Sequence, residues 1–287
     1  MTSLGLVVVG YNSDEVWPAF CESLAESTVV PDEVVVVENS TSLPTAIPSL
    51  RGLSIKVTHR PDNPGYGTSA NHGVSELRTA PDLIVICNPD IVWQADTLEE
   101  MVAELESRPT VGIVGPRLLN NDGSTYPSAR AFPGIRVGIG HALLGDLWKT
   151  NPGTARYLGT QEGSEPRIVD WLSGACLMIR EETFNYMDGF DEGYFMFVED
   201  VDLCFRAKKE GWRSLYVPDA VLTHSGAHST GPRMTEMVKA HHQSMRKFLF
   251  RLYAGPVYWP IRQALRAGLW LRGIVARLQY SRQKTQP

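Results

Sequence analysis

Short, wholly apolar runs alternate with amphipathic stretches through the first half of the chain. This is the rhythm of a sheet whose strands are covered on both faces by crossover helices. It predicts strands at Leu4–Val9, Glu33–Val37, Ser54–His59, Leu83–Cys87 and Val111–Val114, with helices near Glu15–Ser27, Gly67–Arg78 and Ala95–Ser107. The last of these carries Asp96, Glu99 and Glu100 at its start, where carboxylates oppose the positive helix end. Beyond Pro116 the rhythm changes. Asn121-Asp122-Gly123 predicts a hairpin turn, and a Gly- and Pro-punctuated stretch to about Gly163 reads as a mobile or substrate-shaping region. Regular patterning resumes over Ile168–Arg180. Tyr194–Glu210 reads as a loop entering a helix that stops at Gly211, followed by two strands, Arg213–Val217 and Ala220–Thr223. From Thr235 the chain reads as helical, with interruptions at Gly255-Pro256 and Pro260. The fold class is α/β.

Composition narrows this picture. With 287 residues, 43% apolar, the chain can build one large core, or one core and an appendage. The longest apolar runs, such as Leu83–Cys87, fall far short of the roughly 20 residues that cross a bilayer, so no spanning segment is expected. A strand-like run begins close to Met1 without a secretory signature, which points to the cytoplasm. Cys21, Cys87, Cys176 and Cys204 are scattered, which favours buried thiols over a zinc site or disulfides. The net charge of -5 hides an asymmetry: no Asp or Glu follows Glu236, while ten Lys and Arg do, from Lys239 to Lys284.

Several clusters could carry chemistry. Asn88-Pro89-Asp90 follows the run ending at Cys87, so Asp90 falls at the C-terminal edge of a strand, where open α/β sheets bind ligands. A carboxylate there can hold a hard divalent cation, although the same tripeptide suits a plain turn. Glu199-Asp200-Val201-Asp202 gathers three carboxylates at a helix start, which serves either helix capping or general-base work. His224 and His228 lie in a Gly/Ser context after a strand and could complete a metal site, bind phosphate or be solvated. The segment from Asn63 through Gly65 to Asn71 is a glycine-bearing turn into a helix, a place for phosphate or sugar groups, but it matches neither the dinucleotide fingerprint nor the P-loop. Glu38 ends the second strand and could accept hydrogen bonds from a nucleoside.

Taken in order, Val8-Val9-Gly10-Tyr11-Asn12, Val37-Glu38-Asn39-Ser40, Asn63-Pro64-Gly65-Tyr66-Gly67, Asn88-Pro89-Asp90, Trp171-Leu172-Ser173-Gly174-Ala175 and Glu199-Asp200-Val201-Asp202 resemble family 2 of the glycosyltransferases, over about residues 4–230. Within that family they are most similar to actinobacterial rhamnosyltransferases acting on N-acetylglucosaminyl-diphospho-decaprenol. The resemblance implies a GT-A fold, a mixed sheet flanked by helices. It implies a catalytic domain over 1–234, with a nucleotide-sugar-binding half (1–116) and an acceptor-binding half (117–234), and a basic helical extension over 235–287. It further implies an inverting transferase that uses Mg2+ or Mn2+, a nucleotide-sugar donor such as dTDP-L-rhamnose and a polyprenyl-diphosphate-linked sugar acceptor.

By the same resemblance Asp90 and His224 hold the metal, with Asn88 where the family's D-x-D motif often has its first acid. Tyr11, Asn12, Glu38, Asn63, Gly65, Asn71 and Asn88 join Asp90 on the donor side. Asp200 is the catalytic base, and Trp171, Gly174 and Glu199 lie beside the acceptor. Arg130 and Arg206 are further candidates for phosphate contacts, or else pair with a nearby acid. The acid-free tail suits an anionic membrane surface, placing the protein peripherally on the inner face of the cell membrane, or else packs on the catalytic domain or a second subunit; the acidic body argues against nucleic acid. Two rival classes remain: a sugar-nucleotide pyrophosphorylase, whose glycine-rich basic loop is missing after Val9, and a non-catalytic carbohydrate- or lipid-binding module, against which Asp90, Asp200 and His224 argue together.

Overall fold

In the computed structural model, which describes residues 2–43, 47, 53, 55–134, 165–225, 234–264 and 266–268, the apolar runs become the centre of one mixed sheet. The chain runs β1 (Leu4–Gly10), α1 (Trp17–Ala25), β2 (Glu33–Glu38), β3 (Ile55–His59), α2 (Tyr66–Ser75), β4 (Leu83–Cys87), β5 (Ile91–Trp93), α3 (Thr97–Ser107) and β6 (Val111–Leu119). It continues with β7 (Thr125–Tyr126), β8 (Ala129–Arg130), β9 (Arg167–Val169), β10 (Trp171–Leu172), β11 (Cys176–Arg180), α4 (Glu181–Tyr186), α5 (Glu199–Lys209), β12 (Arg213–His224) and α6 (Met234–Leu252).

The strand order is β3-β2-β1-β4-β11-β6-β12-β5, with β7 added to β6 and β9 to β12, while β8 and β10 pair separately. The first four strands are mutually parallel; β11 runs antiparallel between β4 and β6. Alternation along each strand divides the core into two layers. Leu6, Val8, Val34, Val36 and Val85 face Trp17, Phe20, Leu98 and Met101 on one side. Val7, Val35, Ile84 and Ile86 face Ala70, Phe190, Val201 and Phe248 on the other. Both faces are dry, which is why these strands read as continuous apolar runs.

The two strands expected at Arg213–Val217 and Ala220–Thr223 are one, β12, with an irregularity between Val217 and Val221. Its neighbour β6 passes through Pro116, which stands opposite Val217 at that irregularity. Two prolines, Pro116 and Pro218, lack ladder N–H groups there, and a bulge absorbs the missing bonds. The hairpin turn lies where expected, with Gly123 at φ 80° and Leu119 paired to Thr125. All four cysteines are buried and free. Residues 135–164, most of the expected substrate-shaping stretch, together with His228 and the tail beyond residue 268, lie outside the described residues.

Helix α6, which opens the stretch beyond residue 234, packs on the catalytic body, one of the two readings of the tail. Its Phe248 is fully buried and meets the rings of Phe205 and Phe132 at 5.5 and 6.2 Å between centroids. Two of the tail cations are paired inside: Lys247 Nζ lies 2.7 Å from Asp191 Oδ1, and Arg251 bridges Asp191 and the buried Asp202. Phe248→Ala should therefore lower unfolding free energy by about 3–5 kcal/mol in urea titration. Val257→Ala, at a side chain 84% exposed, should change it by less than about 0.5 kcal/mol. A near-neutral Phe248→Ala would mean that α6 is detachable.

Candidate active site

The order β3-β2-β1-β4 reverses winding direction between β1 and β4, and the C-terminal ends of those strands open the crevice where such sheets bind ligands. Glu38 lies at that edge, fully buried. Its Oε1 accepts from the Ser40 N–H (3.0 Å) and hydroxyl, whereas Oε2 is buried without a hydrogen-bond partner. A Cβ added to Gly10 would sit 2.5 Å from Oε2, so glycine is needed where the carboxylate crosses the end of β1. Tyr11 and Asn12 follow directly. The Tyr11 N–H donates to Ser13 Oγ (3.0 Å), and Asn12, at φ 53°, donates its N–H to Ser40 Oγ (2.5 Å).

Beyond β4 the chain turns through Asn88 and Asp90 into the three-residue β5, which pairs with the end of β12 and so carries Asp90 to His224. Asp90 Oδ1 lies 3.3 Å from His224 Nε2, and Asn88 Nδ2 lies 3.2 Å from the same nitrogen. Tyr126 meets the imidazole edge-on at 6.4 Å. Among the described residues no cluster of three or more His, Cys, Asp or Glu is disposed to hold a metal. One carboxylate oxygen and one imidazole nitrogen, side by side and half-exposed or less, nevertheless fit a divalent cation whose remaining ligands come from a bound diphosphate and water.

Asp200 is held from two sides. Its Oδ2 accepts from the Gly174 N–H and its Oδ1 from the Val201 N–H, both at 2.8 Å. The carbonyl of Gly174 in turn accepts from the Tyr66 hydroxyl at 2.7 Å. A Cβ at 174 would lie 3.3 Å from Asp200 Cβ, so the close approach that glycine eases here is that of Asp200. Burial pushes the Asp200 carboxyl up, opposed by those two N–H donors and by the charge of Arg130. Its neighbour Glu199 is buried with Oε2 unpartnered; burial, and then the Asp200 carboxylate, push it up to about 8.

The loop that delivers this pair is strained: Phe197 (φ 64°) and Val198 (φ 71°) are left-handed, although valine is β-branched. Gly65, at φ 103°, is needed because a Cβ would fall 2.1 Å from the Phe195 carbonyl oxygen, which accepts the Tyr66 N–H. Asn63, at φ 43°, enters the same turn.

Three residues expected at ligand contacts have partners within the protein. Asn71 is engaged by the loop, donating to the Phe190 carbonyl (2.9 Å) and accepting the Phe190 N–H (2.8 Å), so it clamps the chain ahead of α5. The Trp171 indole is buried, donates to the Ala131 carbonyl (2.9 Å) and has the Arg130 guanidinium over its ring at 5.2 Å, so its face is covered. Arg206 uses Nε on Asp202 (2.8 Å) and its two other nitrogens on the carbonyls of Met187 and Gly189 (2.7 Å each), which makes it a structural tie. Two residues with no assigned part in the sequence reading, Tyr66 and Tyr126, are brought to the site by contacts with Gly174 and His224, more than 90 positions away along the chain. No local pattern signals such contacts.

A mixed sheet with this switch point, a carboxylate–histidine pair at its C-terminal strand edge and a half-buried carboxylate at a helix start is the arrangement of the GT-A glycosyltransferases. The profile described as "Glycosyltransferase like family 2" matches residues 2–247, and the chain belongs to that family. It is 37% identical over 94% of its length to the N-acetylglucosaminyl-diphospho-decaprenol L-rhamnosyltransferase of Mycobacterium tuberculosis, covering 91% of it. It is 28% identical over 65% of its length to a rhamnosyltransferase of Escherichia coli, covering 70% of that protein. The solved mannosyltransferase PcManGT from Pyrobaculum calidifontis, in complex with GDP-Man and Mn2+, shares the fold at a TM-score of 0.57 and 17% identity, with 100% of this chain and 76% of that one covered.

The Glu199 environment has a pH signature. A carboxyl raised from 4.5 to about 8 by folding binds its proton more tightly in the native state, so the stability it contributes is full below pH 4.5 and lost as pH rises to about 8. Denaturant midpoints at pH 5 and pH 8 should show the wild type losing more stability over that interval than Glu199→Gln, which cannot ionise. Parallel losses would contradict the buried, proton-holding Glu199.

Proposed function

We propose that this chain transfers L-rhamnose from dTDP-L-rhamnose to a polyprenyl-diphosphate-linked N-acetylglucosamine, with inversion at the anomeric carbon. The observation that carries the reaction type is the half-buried Asp200, fixed by two backbone N–H groups. The substrates are supported by the mycobacterial relative, similar over nearly the whole of both chains.

Asp200 is the base. The acceptor oxygen forms its bond to the anomeric carbon while its proton passes to the carboxylate; the bond to the donor diphosphate breaks, and that electron pair leaves with the nucleoside diphosphate. Asp90 and His224, with Asn88 beside them, are the residues that hold Mg2+ or Mn2+, and the ion when bound neutralises charge on the leaving diphosphate. The PcManGT complex with Mn2+ supports that reading. Glu38, with one oxygen unpartnered, and Tyr11 and Asn12 at the end of β1 receive the nucleoside. Gly174 and Glu199 border the acceptor through Asp200.

The acceptor's lipid calls for access to a membrane surface. No helix among the described residues is long and apolar enough to cross one. Past α6, Val257, Tyr258 and Trp259 are 84%, 42% and 58% exposed, close to Arg262 and Arg266 in the acid-free tail. Apolar and cationic side chains in that combination suit peripheral attachment to an anionic bilayer, each cation contributing roughly 1 kcal/mol.

Purified protein incubated with dTDP-L-rhamnose, Mg2+ or Mn2+ and a lipid-diphosphate N-acetylglucosamine analogue should yield a disaccharide lipid by mass spectrometry. EDTA should abolish the product. Transfer from other nucleotide sugars alone would sink the substrate assignment, and full activity in EDTA would sink the metal.

A further inference from the structure

One face of α6 lies along the loop that leads into α5. His241, Ser244, Lys247 and Arg251 recur at three- and four-residue intervals and so share that face. The His241 ring meets Phe197 at 5.6 Å between centroids, and Ser244 Oγ donates to the Met196 carbonyl at 2.8 Å. Lys247 Nζ lies 4.2 Å from the centroid of the Tyr194 ring and 2.7 Å from Asp191 Oδ1. Arg251 donates from Nη2 to Asp191 Oδ2 (2.6 Å) and from Nη1 to Asp202 Oδ1. A single guanidinium thus joins the start of the loop to the first turn of α5. Burial opposes the charge on Asp191, yet hydrogen bonds from Lys247, the Gly193 N–H and Arg251 hold its carboxyl down to about 2, so that tie is ionic near neutral pH.

Between those two anchors lie the left-handed residues Phe197 and Val198. Strained backbone of this kind persists only where its surroundings hold it. The other side of the loop borders the site: the Phe195 carbonyl accepts the Tyr66 N–H, and the Tyr66 hydroxyl donates to the Gly174 carbonyl. Asp200 follows Val198 by two positions, so relaxation of Val198 would swing its carboxylate away from the Gly174 N–H, on which it now rests.

We propose that Arg251 is a positioning residue for Asp200: by bridging Asp191 and Asp202 it fixes the loop that presents the Asp200 carboxylate to the Gly174 N–H. Its bearing on transfer rests on the functional reading above, in which Asp200 is the base. Arginine suits the task because its planar fork offers donors to two carboxylates at once, whereas a lysine ammonium is a single point of charge.

The test compares Arg251→Lys, which keeps the charge, with wild type and with Arg246→Lys, at an exposed position of the same helix. Amide hydrogen exchange at Gly174, whose N–H donates to Asp200, reports the place of that carboxylate without turnover. Single-turnover transfer, calorimetric donor binding and the acceptor KM are measured on the same proteins. Arg251→Lys should speed exchange at Gly174 and slow transfer, each by about tenfold or more, with donor affinity and acceptor KM within about twofold of wild type. Arg246→Lys should match wild type. Should Arg251→Lys fail to fold, Ser244→Ala, which frees only the Met196 carbonyl, is read by the same pattern. Unchanged exchange at Gly174 overturns the positioning. Faster exchange with unchanged transfer overturns its bearing on the reaction, and a loss of donor affinity equal to the loss of rate overturns it in favour of a general loosening. Asp200→Asn is run alongside. Full turnover there sinks the functional reading, while exchange at Gly174 still decides whether Arg251 holds the loop.

Discussion

The peptide strap at Gly174 and Ala175 is the constraint on which the site depends. The Gly174 N–H holds Asp200, its carbonyl takes the Tyr66 hydroxyl, and the Ala175 carbonyl accepts the Asn88 N–H at 3.0 Å. Three segments distant in sequence, the start of α2, the turn after β4 and the start of α5, are thereby tied to one stretch between β10 and β11. A side chain at residue 174 would crowd Asp200, with an added Cβ 3.3 Å from the Asp200 Cβ, and β11 lies between β4 and β6 in the sheet. Asp200 and the Asp90–His224 pair thus share one backbone connection, and their spacing is set by main chain rather than by flexible side chains.

The start of α5 is held against strain from behind. Left-handed φ values at Phe197 and Val198 cost of order 1–3 kcal/mol each and persist only where surrounding contacts over-determine them. Asp202 supplies those contacts: fully buried, it accepts from Tyr194, Arg206 and Arg251. The three carboxylates of the motif therefore have different work. Asp202 anchors the helix, Asp200 faces the strap, and Glu199 is buried with its proton. Arg251 comes from α6, so that helix braces the start of α5 as well as the core beneath it.

Much of the fold is legible in the sequence because strands buried on both faces are written as unbroken apolar runs; Leu83–Cys87 begins and ends where β4 does. β5 and α4, of three and six residues, have too little periodicity to read. In the tail the sequence leaves two readings open, because the acids that take Lys247 and Arg251 lie far away in the loop before α5 and in α5 itself. At the site, strand ends and turns locate Glu38, Asp90, Asp200 and His224 by position alone. The partners of Asn71, Trp171 and Arg206 within the protein are mostly backbone carbonyls, and Asn71 reaches its partner 119 positions away. A carbonyl leaves no trace in residue identity, so such a contact cannot be read from a motif.

The central claim is that Asp200 takes the acceptor's proton. Asp200→Asn keeps the size of the side chain and one carbonyl oxygen for the strap, but it cannot serve as the base. Single-turnover transfer, measured beside calorimetric binding of the donor to the same protein, separates chemistry from folding and binding. The expected result is transfer slowed by about 10²–10⁴-fold with donor affinity within about twofold of wild type. Turnover close to that of wild type would contradict the account.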